Sequence, residues 1–438
     1  MAYDFLKDKR FEGINPLRKR AHLSSPTPHR NEEMAYIEEC YKSGWLTTVG
    51  ENINQLEETV SSYMGGGKRA VALVNGTAAI HLAVRLAAEK VYHSSSGIST
   101  PSGKGTGGSL YGKRVFVSDM TFDASVNPIV YEGGEPVFID SERETWNMDP
   151  AALEKAFELY PDTKIVIFVH LYGVPGKIEE VKRICERYDA VLIEDAAESL
   201  GATVGRQATG SIGNFAIISF NGNKIITGSS GGMLIVPDEY SYNKAKKWST
   251  QSRESTMWYE HEELGYNYRM SNIIAGMIRG QWFFLEEHVS AKKSVYERYK
   301  SGLKGLPVTI HGGGNYWLSC GLIDEGAMSA TARSNRQAVY RIEKGRSCPT
   351  EILEALNAFN MEGRPIWKPM HMQPIYRSND FVTVSGLNRG NSDAYIDQRE
   401  RKAVTEKVFE CGLCLPSDNK MTEEQQDAVI EIIHRCFS

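Results

Sequence analysis

A lysine placed between an apolar run and a glycine-bearing turn can do covalent chemistry, and Lys224 is so placed. It follows the run Phe215 to Phe220 and precedes Gly228 to Gly232 in SFNGNKIITGSSGGM. That pattern reads as a buried strand leading into a loop, which puts an amine at the floor of a cleft. In a partly dry pocket a lysine becomes a nucleophile toward an aldehyde, the bond by which pyridoxal 5'-phosphate (PLP) is held as a Schiff base. Lysines near strand ends are common, and the competing reading of a single one is a solvated or snorkelling side chain.

Two further groups supply what PLP chemistry needs. The run AVLIEDAAESLG, Ala190 to Gly201, is an apolar strand ending in Glu194 and Asp195, which sheet alternation points to opposite faces. A carboxylate at such a strand end can keep a pyridine nitrogen protonated, and the protonated ring then accepts electrons from a substrate carbanion. Taken alone, Asp195 reads equally as a helix cap or a surface ion pair. The stretch VNGTAAIHLAVRLAAEK, Val74 to Lys90, reads as a strand end, a Gly-Thr turn and an alanine-rich helix. Gly76 lets the backbone approach a phosphate, and Thr77 with the first helical amides can donate to it. Any capped helix after a strand looks similar. Ser219, five residues before Lys224, could add a hydroxyl to the same phosphate.

These residues, with GYNYRMSN from Gly265 to Asn272, resemble the DegT/DnrJ/EryC1/StrS aminotransferases from about His22 to the C-terminus. The resemblance implies the type I fold of PLP-dependent transferases, with a large PLP domain and a small C-terminal domain, and amination of keto groups on nucleotide-activated sugars by PLP. HLSSPTPHRNEE, NGNKIIT, RPIWKPMHMQP and GLCLPSDN are similar to 4-aminotransferases acting on UDP-linked 4-keto-6-deoxy-N-acetylhexosamine. It further implies that Phe122 stacks on the pyridine face, that Glu198 sits by the ring hydroxyl, and that Asn267 reaches the PLP phosphate of a neighbouring subunit in a homodimer with shared active sites. Trp45, Leu46, Thr47 and Thr48 match a substrate-touching segment, and His371 a substrate-pocket position. By residue type alone, Phe122 reads as a core aromatic, Asn267 as a turn residue and His371 as structural. Arg253 is a candidate for the donor's α-carboxylate, with an exposed salt bridge as its alternative.

Composition fits a cytoplasmic enzyme. A net charge of −5 argues against a nucleic-acid surface, and no 18-residue apolar run or signal-peptide core occurs in the 438 residues. The seven cysteines form no framework, and Cys411 with Cys414 make one CxxC without a second pair, so no metal is expected.

The positioning elements follow from apolar runs at Arg114 to Ser118, Lys164 to His170, Ala190 to Glu194 and Phe215 to Phe220. Amphipathic segments lie between them, such as Pro150 to Leu159 and Lys177 to Tyr188. This alternation predicts an α/β sheet covered by helices, with ligands at the strands' carboxyl ends. A large domain over 1–287 is expected, then a smaller one over 288–438 with strands at Val308 to His311 and Tyr316 to Ile323 and a last helix capped by Thr422 and Gln425. The Ser/Gly-rich stretch His93 to Tyr111 predicts a mobile loop, and Ser378 to Arg401 is polar and irregular.

Three functions are compatible with these residues. The first is a sugar aminotransferase with glutamate as donor, in which Lys224 also shuttles the proton. The second is a PLP-dependent nucleotide-sugar dehydratase, disfavoured because such relatives carry histidine where Lys224 stands. The third is a non-catalytic regulator on the same fold, which glutamate would not convert to a pyridoxamine form.

Overall fold

The computed structural model describes residues 3–92, 108–334, 337–389 and 403–438. Positions 93–107 of the Ser/Gly-rich stretch and 390–401 of the polar stretch lie outside the described residues. The remainder of the first stretch is anchored: Ser109 and Leu110 amides both donate to Glu132, and Leu110 is buried.

Nine strands form one sheet in the order Arg69–Leu73, Gly232–Val236, Phe215–Ser219, Val191–Asp195, Ile165–Val169, Arg114–Ser118, Glu135–Ile139, Asp380–Thr383 and Gly386–Arg389. The central strands pair in parallel and are buried almost throughout, which explains their continuous apolar sequences. Gly232–Val236 runs antiparallel to both its neighbours, so Arg69–Leu73 points the same way as the central strands. Chain order reverses between Arg114–Ser118 and Ile165–Val169, and a crevice for ligands opens at the carboxyl ends of such a sheet.

The helix Gly76–Tyr92, alanine-rich and almost wholly buried, packs on one face of this sheet, while Pro150–Leu159 and Ile178–Arg187 cover the other. A second, four-stranded antiparallel sheet orders Val308–His311, Cys320–Ile323, Gly412–Cys414 and Arg364–Pro365. The helices Leu285–Gly302, Pro349–Ala358 and Glu423–Cys436 pack with it, the last starting at a Thr422–Gln425 capping box.

The two layers interleave along the chain. Phe5, Phe11 and Ala21 pack into the core of the smaller layer, whereas Asp380–Thr383 returns to pair with Glu135–Ile139 in the large sheet. A boundary at 287 falls inside Leu285–Gly302, a helix that begins three residues after Asn272–Trp282 ends. The strand expected over Tyr316 to Ile323 is limited to Cys320–Ile323, because Tyr316 takes a left-handed φ of 55° and the preceding residues form a loop.

Candidate active site

Five segments meet at the carboxyl edge of the large sheet. The Arg69–Leu73 strand leads into Asn75, whose Oδ1 accepts from the Ala78 amide at 2.8 Å and caps the following helix. The amide of Thr77, in the first turn, has no intrahelical acceptor and lies at the positive end of the helix, while Gly76 follows the Asn75–Gly231 bridge. A Cβ at Gly76 would lie 3.3 Å from Ser219 Cβ and 3.5 Å from Ser219 Oγ, so glycine here brings the helix start against the hydroxyl that closes Phe215–Ser219. This is a cradle of amides and hydroxyls suited to a phosphate.

Glu194 and Asp195 diverge as strand alternation requires. Glu194 turns to His170, 2.9 Å away, and accepts from the amides of Gly210, Ile212 and Gly213. Burial alone would raise its pKa, but His170 and these amides outweigh it and the pKa is lowered. Asp195 has fewer donors: Ser125 Oγ at 2.7 Å and the Ala197 amide at 3.0 Å. Burial raises its pKa despite Ser125, Ala197 and Lys224. Lys224 and His170 act on this carboxyl only through space, and a pyridinium N–H would be a directly bonded cation of the required kind.

Lys224 follows Ser219 through a turn, its amide donating to Asn221 O at 2.9 Å. Its Nζ lies 3.7 Å from Glu198 Oε1 and 4.2 Å from the Trp317 ring centroid. Burial pushes the Glu198 carboxyl up to about 7, with Lys224 pulling the other way. Glu198 Oε2 accepts the Tyr172 amide at 2.6 Å, and Tyr172 adopts a left-handed φ of 54° there. Such a conformation is uncommon for an aromatic residue and costs on the order of 1 to 3 kcal/mol. Phe122, 60% exposed after the Arg114–Ser118 strand, offers an open ring face, with Trp367 5.5 Å away on its other contact. The residues present therefore fit PLP: a phosphate cradle, an open aromatic face, an undercharged buried carboxyl and an amine converge on one edge.

The other candidates sit elsewhere. Asn267 is exposed, while Tyr266 and Tyr268 on either side of it stack at 4.7 Å and bond to Glu132 and His81. Trp45, Leu46, Thr47 and Thr48 are exposed between the first two long helices, and Asn272 ties down the Trp45 and Thr47 carbonyls. His371 is 1% exposed: its Nδ1 lies 2.6 Å from Asp119 and its ring stacks on Phe381. Arg253 is exposed, its guanidinium over Tyr259. Of the CxxC, Cys414 lies across from Cys320 on the adjacent strand, Sγ to Sγ 3.7 Å, and Cys411 ends a helix.

A cavity of about 730 Å³ adjoins the site, lined by Asn223, Trp317, Trp367, Arg364 and Leu353 among others, although Lys224 itself does not line it. Sequence reasoning missed Ser125, Tyr172, Asn315 and Trp317. Only Ser125 carried a local signal, three residues beyond Phe122.

A parallel sheet with an amine, a buried carboxylate and a helix N-terminus at its carboxyl edge, backed by a small antiparallel layer, has the type I fold of PLP-dependent transferases. Within that class the chain belongs to the DegT/DnrJ/EryC1/StrS aminotransferase family, whose model matches residues 28–434. It is a PLP-dependent aminotransferase. It is 37% identical over 431 residues to EpsN of Bacillus subtilis (strain 168), described as a pyridoxal phosphate-dependent aminotransferase, covering 96% of this chain and 97% of that one. It is 30% identical to the GDP-perosamine synthase of Caulobacter vibrioides (strain ATCC 19089 / CIP 103742 / CB 15), over 95% and 98% of the two chains. Among solved structures it resembles a DegT DnrJ EryC1 StrS aminotransferase from Brucella abortus, with TM-score 0.73, 21% identity and coverage of 92% and 95%.

Proposed function

We propose that the enzyme moves the amino group of glutamate to C4 of a UDP-linked 4-keto-6-deoxy-N-acetylhexosamine, for amino-sugar biosynthesis. The observation that carries the transamination reading is the convergence of Lys224, Glu198 and Asp195 beside the Gly76–Ser219 cradle. The cavity by Asn223, with Trp367 and Arg364 on its wall, supports a substrate as large as a sugar nucleotide. The preference for a UDP sugar rests on RPIWKPMHMQP and GLCLPSDN, while the perosamine synthase relative acts in a GDP series. No helix of the described residues is long and apolar enough to cross a membrane, which agrees with a cytoplasmic enzyme.

When bound, PLP supplies an aldehyde that carries nitrogen and a ring that accepts electrons from the substrate carbon. The chain's residues do the rest. Gly76, Thr77 and Ser219 would hold the phosphate, Phe122 would cover the ring, and Asp195 would hold the proton on the pyridine nitrogen. Lys224 would be the amine that bonds the aldehyde, and its free Nζ would move a proton at the substrate carbon, a role worth about 10² to 10⁴ in rate. Glu198, beside Lys224 Nζ, holds that amine in line.

The site is shared in a homodimer. Tyr266 and Tyr268 fasten their segment to their own chain while Asn267 projects outward, the arrangement needed to bond a phosphate in a second copy. Exposed Trp45 and Leu46, tied through Asn272 to the end of the same segment, extend that surface.

The test is a panel of 4-keto and 3-keto sugars, UDP-, dTDP- and GDP-linked, with glutamate as donor and product regiochemistry read by NMR. Amination of the UDP-4-keto-N-acetylhexosamine at C4 with the highest kcat/KM is expected. Preference for a 3-keto or GDP-linked sugar would overturn the substrate assignment while leaving the transaminase.

A further inference from the structure

The loop before Cys320–Ile323 comes from the smaller layer, yet its polar bonds lead to the site in the large one. Asn315, fully buried, donates through Nδ2 to the carbonyls of Glu198 at 2.8 Å and Leu200 at 2.9 Å, and its Oδ1 accepts the Trp317 amide at 2.9 Å. Trp317, 2% exposed, donates its indole N–H to the carbonyl of Asn223 at 2.7 Å. Its own carbonyl accepts from the buried Lys292 ammonium at 3.2 Å, and that lysine also bonds Ser417 O at 2.8 Å. Trp317 packs among Leu171, Tyr172 and Ile366, as any core tryptophan would. A core role explains its burial. It does not explain why the links run to the backbone on either side of the Glu198–Lys224 pair, nor why the Lys224 Nζ lies 4.2 Å over its ring.

We infer that the Trp317 ring, held in place by Asn315, is the berth of the free Lys224 ammonium, and that Trp317 is a positioning residue for the reaction. The inference rests on the reading of Lys224 as the amine that bonds the cofactor. When a donor's nitrogen replaces Lys224, the lysine's C–N bond breaks, the lysine leaves with the electron pair and takes up a proton. An ammonium freed in a largely buried cleft is costly without a partner. The ring face provides one that does not compete for the proton, and Glu198 provides the other. The berth also keeps the amine near enough to return.

The signature is an equilibrium, because the berth is occupied only when Lys224 is free. The holoenzyme is titrated with fixed ratios of glutamate and 2-oxoglutarate, and the fraction of cofactor in the pyridoxamine form is read by absorbance. Trp317→Leu should shift the equilibrium about threefold to thirtyfold toward the lysine-bound form. Trp317→Phe, which keeps a ring face and loses the N–H, should stay near the wild type. Should Trp317→Leu not fold, fluorinated tryptophans placed at 317 preserve shape while draining the ring face, and the shift should grow with each fluorine. An unchanged equilibrium in Trp317→Leu or the fluorinated series, or an equal shift in Trp317→Phe, would overturn the berth. Borohydride trapping in the wild type separates the two readings: cofactor fixed on another lysine defeats the assignment of Lys224, whatever Trp317 does.

Discussion

Two buried clusters at the carboxyl edge of the large sheet use the same chemistry to opposite ends. In the cleft, Asp195 and Glu198 share one cation, Lys224, at 3.7 Å from Glu198, and burial raises both carboxyl pKa values. Behind it, His371 lies 2.6 Å from Asp119 and 3.5 Å from Glu406, with Asp140 held by the Thr405 and Val404 amides. There burial would lower the imidazolium pKa, but the carboxylates outweigh it and raise it to about 9. In the backing cluster the one imidazolium is bonded directly to Asp119, and Asp140, pushed up to about 6 by burial and by Asp119, is held by backbone amides. In the cleft the one cation is an amine on a flexible stem beside an open cavity, so its buried carboxyls are placed to meet a guest as well.

Substitutions in the two clusters should separate activity from stability. The largest effect is expected from Lys224→Ala, which should abolish multiple turnover and borohydride trapping while the thermal midpoint stays near wild type. Asp195→Asn should retain the cofactor through its phosphate contacts, yet slow the half-reaction with glutamate by on the order of a thousandfold in stopped flow. A near-normal single-turnover rate in that variant would reduce Asp195 to a capping residue. By contrast, His371→Ala should cost about 3 to 5 kcal/mol in denaturant unfolding, because it strands carboxylates that are already buried. Full stability with lost sugar binding in His371→Ala would reverse the assignment and return His371 to the substrate pocket.

The comparison also explains what could be read from residues alone. Lys224, Asp195 and Gly76 announce themselves locally, because a strand end, a glycine turn and a helix start are all signals of a few residues. His371 sits in an equally distinctive motif, RPIWKPMHMQP, but a motif does not say which way a side chain points. Its burial depends on Asp119, 252 positions away. Trp317 and Asn315 were invisible for the same reason, since their partners lie on segments far away in sequence. The Asp380–Thr383 strand was hidden in a polar stretch because it is only four residues long and its pairing to Glu135–Ile139 is parallel and long-range.

A smaller effect tests whether the cleft draws on a second chain. Asn267→Ala should weaken cofactor retention by about 1.5 to 3 kcal/mol, a lost bond to a charged group. Mixed with Lys224→Ala under subunit exchange, at PLP too dilute to rescue Asn267→Ala alone, it should regain activity. One site of the mixed dimer then carries both defects and the other carries neither. No gain on mixing, or a monomer in analytical ultracentrifugation, would place Asn267 in its own chain's surface.

The smallest expected effect is a nearly flat pH profile that conceals two opposed slopes. His371 has a folded pKa raised from 6.5 to about 9, so its stabilisation is complete below 6.5 and is lost as pH rises through 9. Over that window the loss is on the order of 3 kcal/mol. Lys292, buried between Trp317 and Ser417, has a pKa lowered by burial from 10.5 to about 7, with Asp418 opposing. Its penalty is full below 7 and is relieved as pH rises toward 10.5, so its contribution climbs where that of His371 falls. Wild-type unfolding free energy should therefore change little between pH 7 and 9. The difference between wild type and His371→Gln should decline across that range, and the difference between wild type and Lys292→Met should rise. Two differences of the same sign would mean that one of the buried groups does not titrate as its surroundings require, and parallel, pH-independent offsets would remove both.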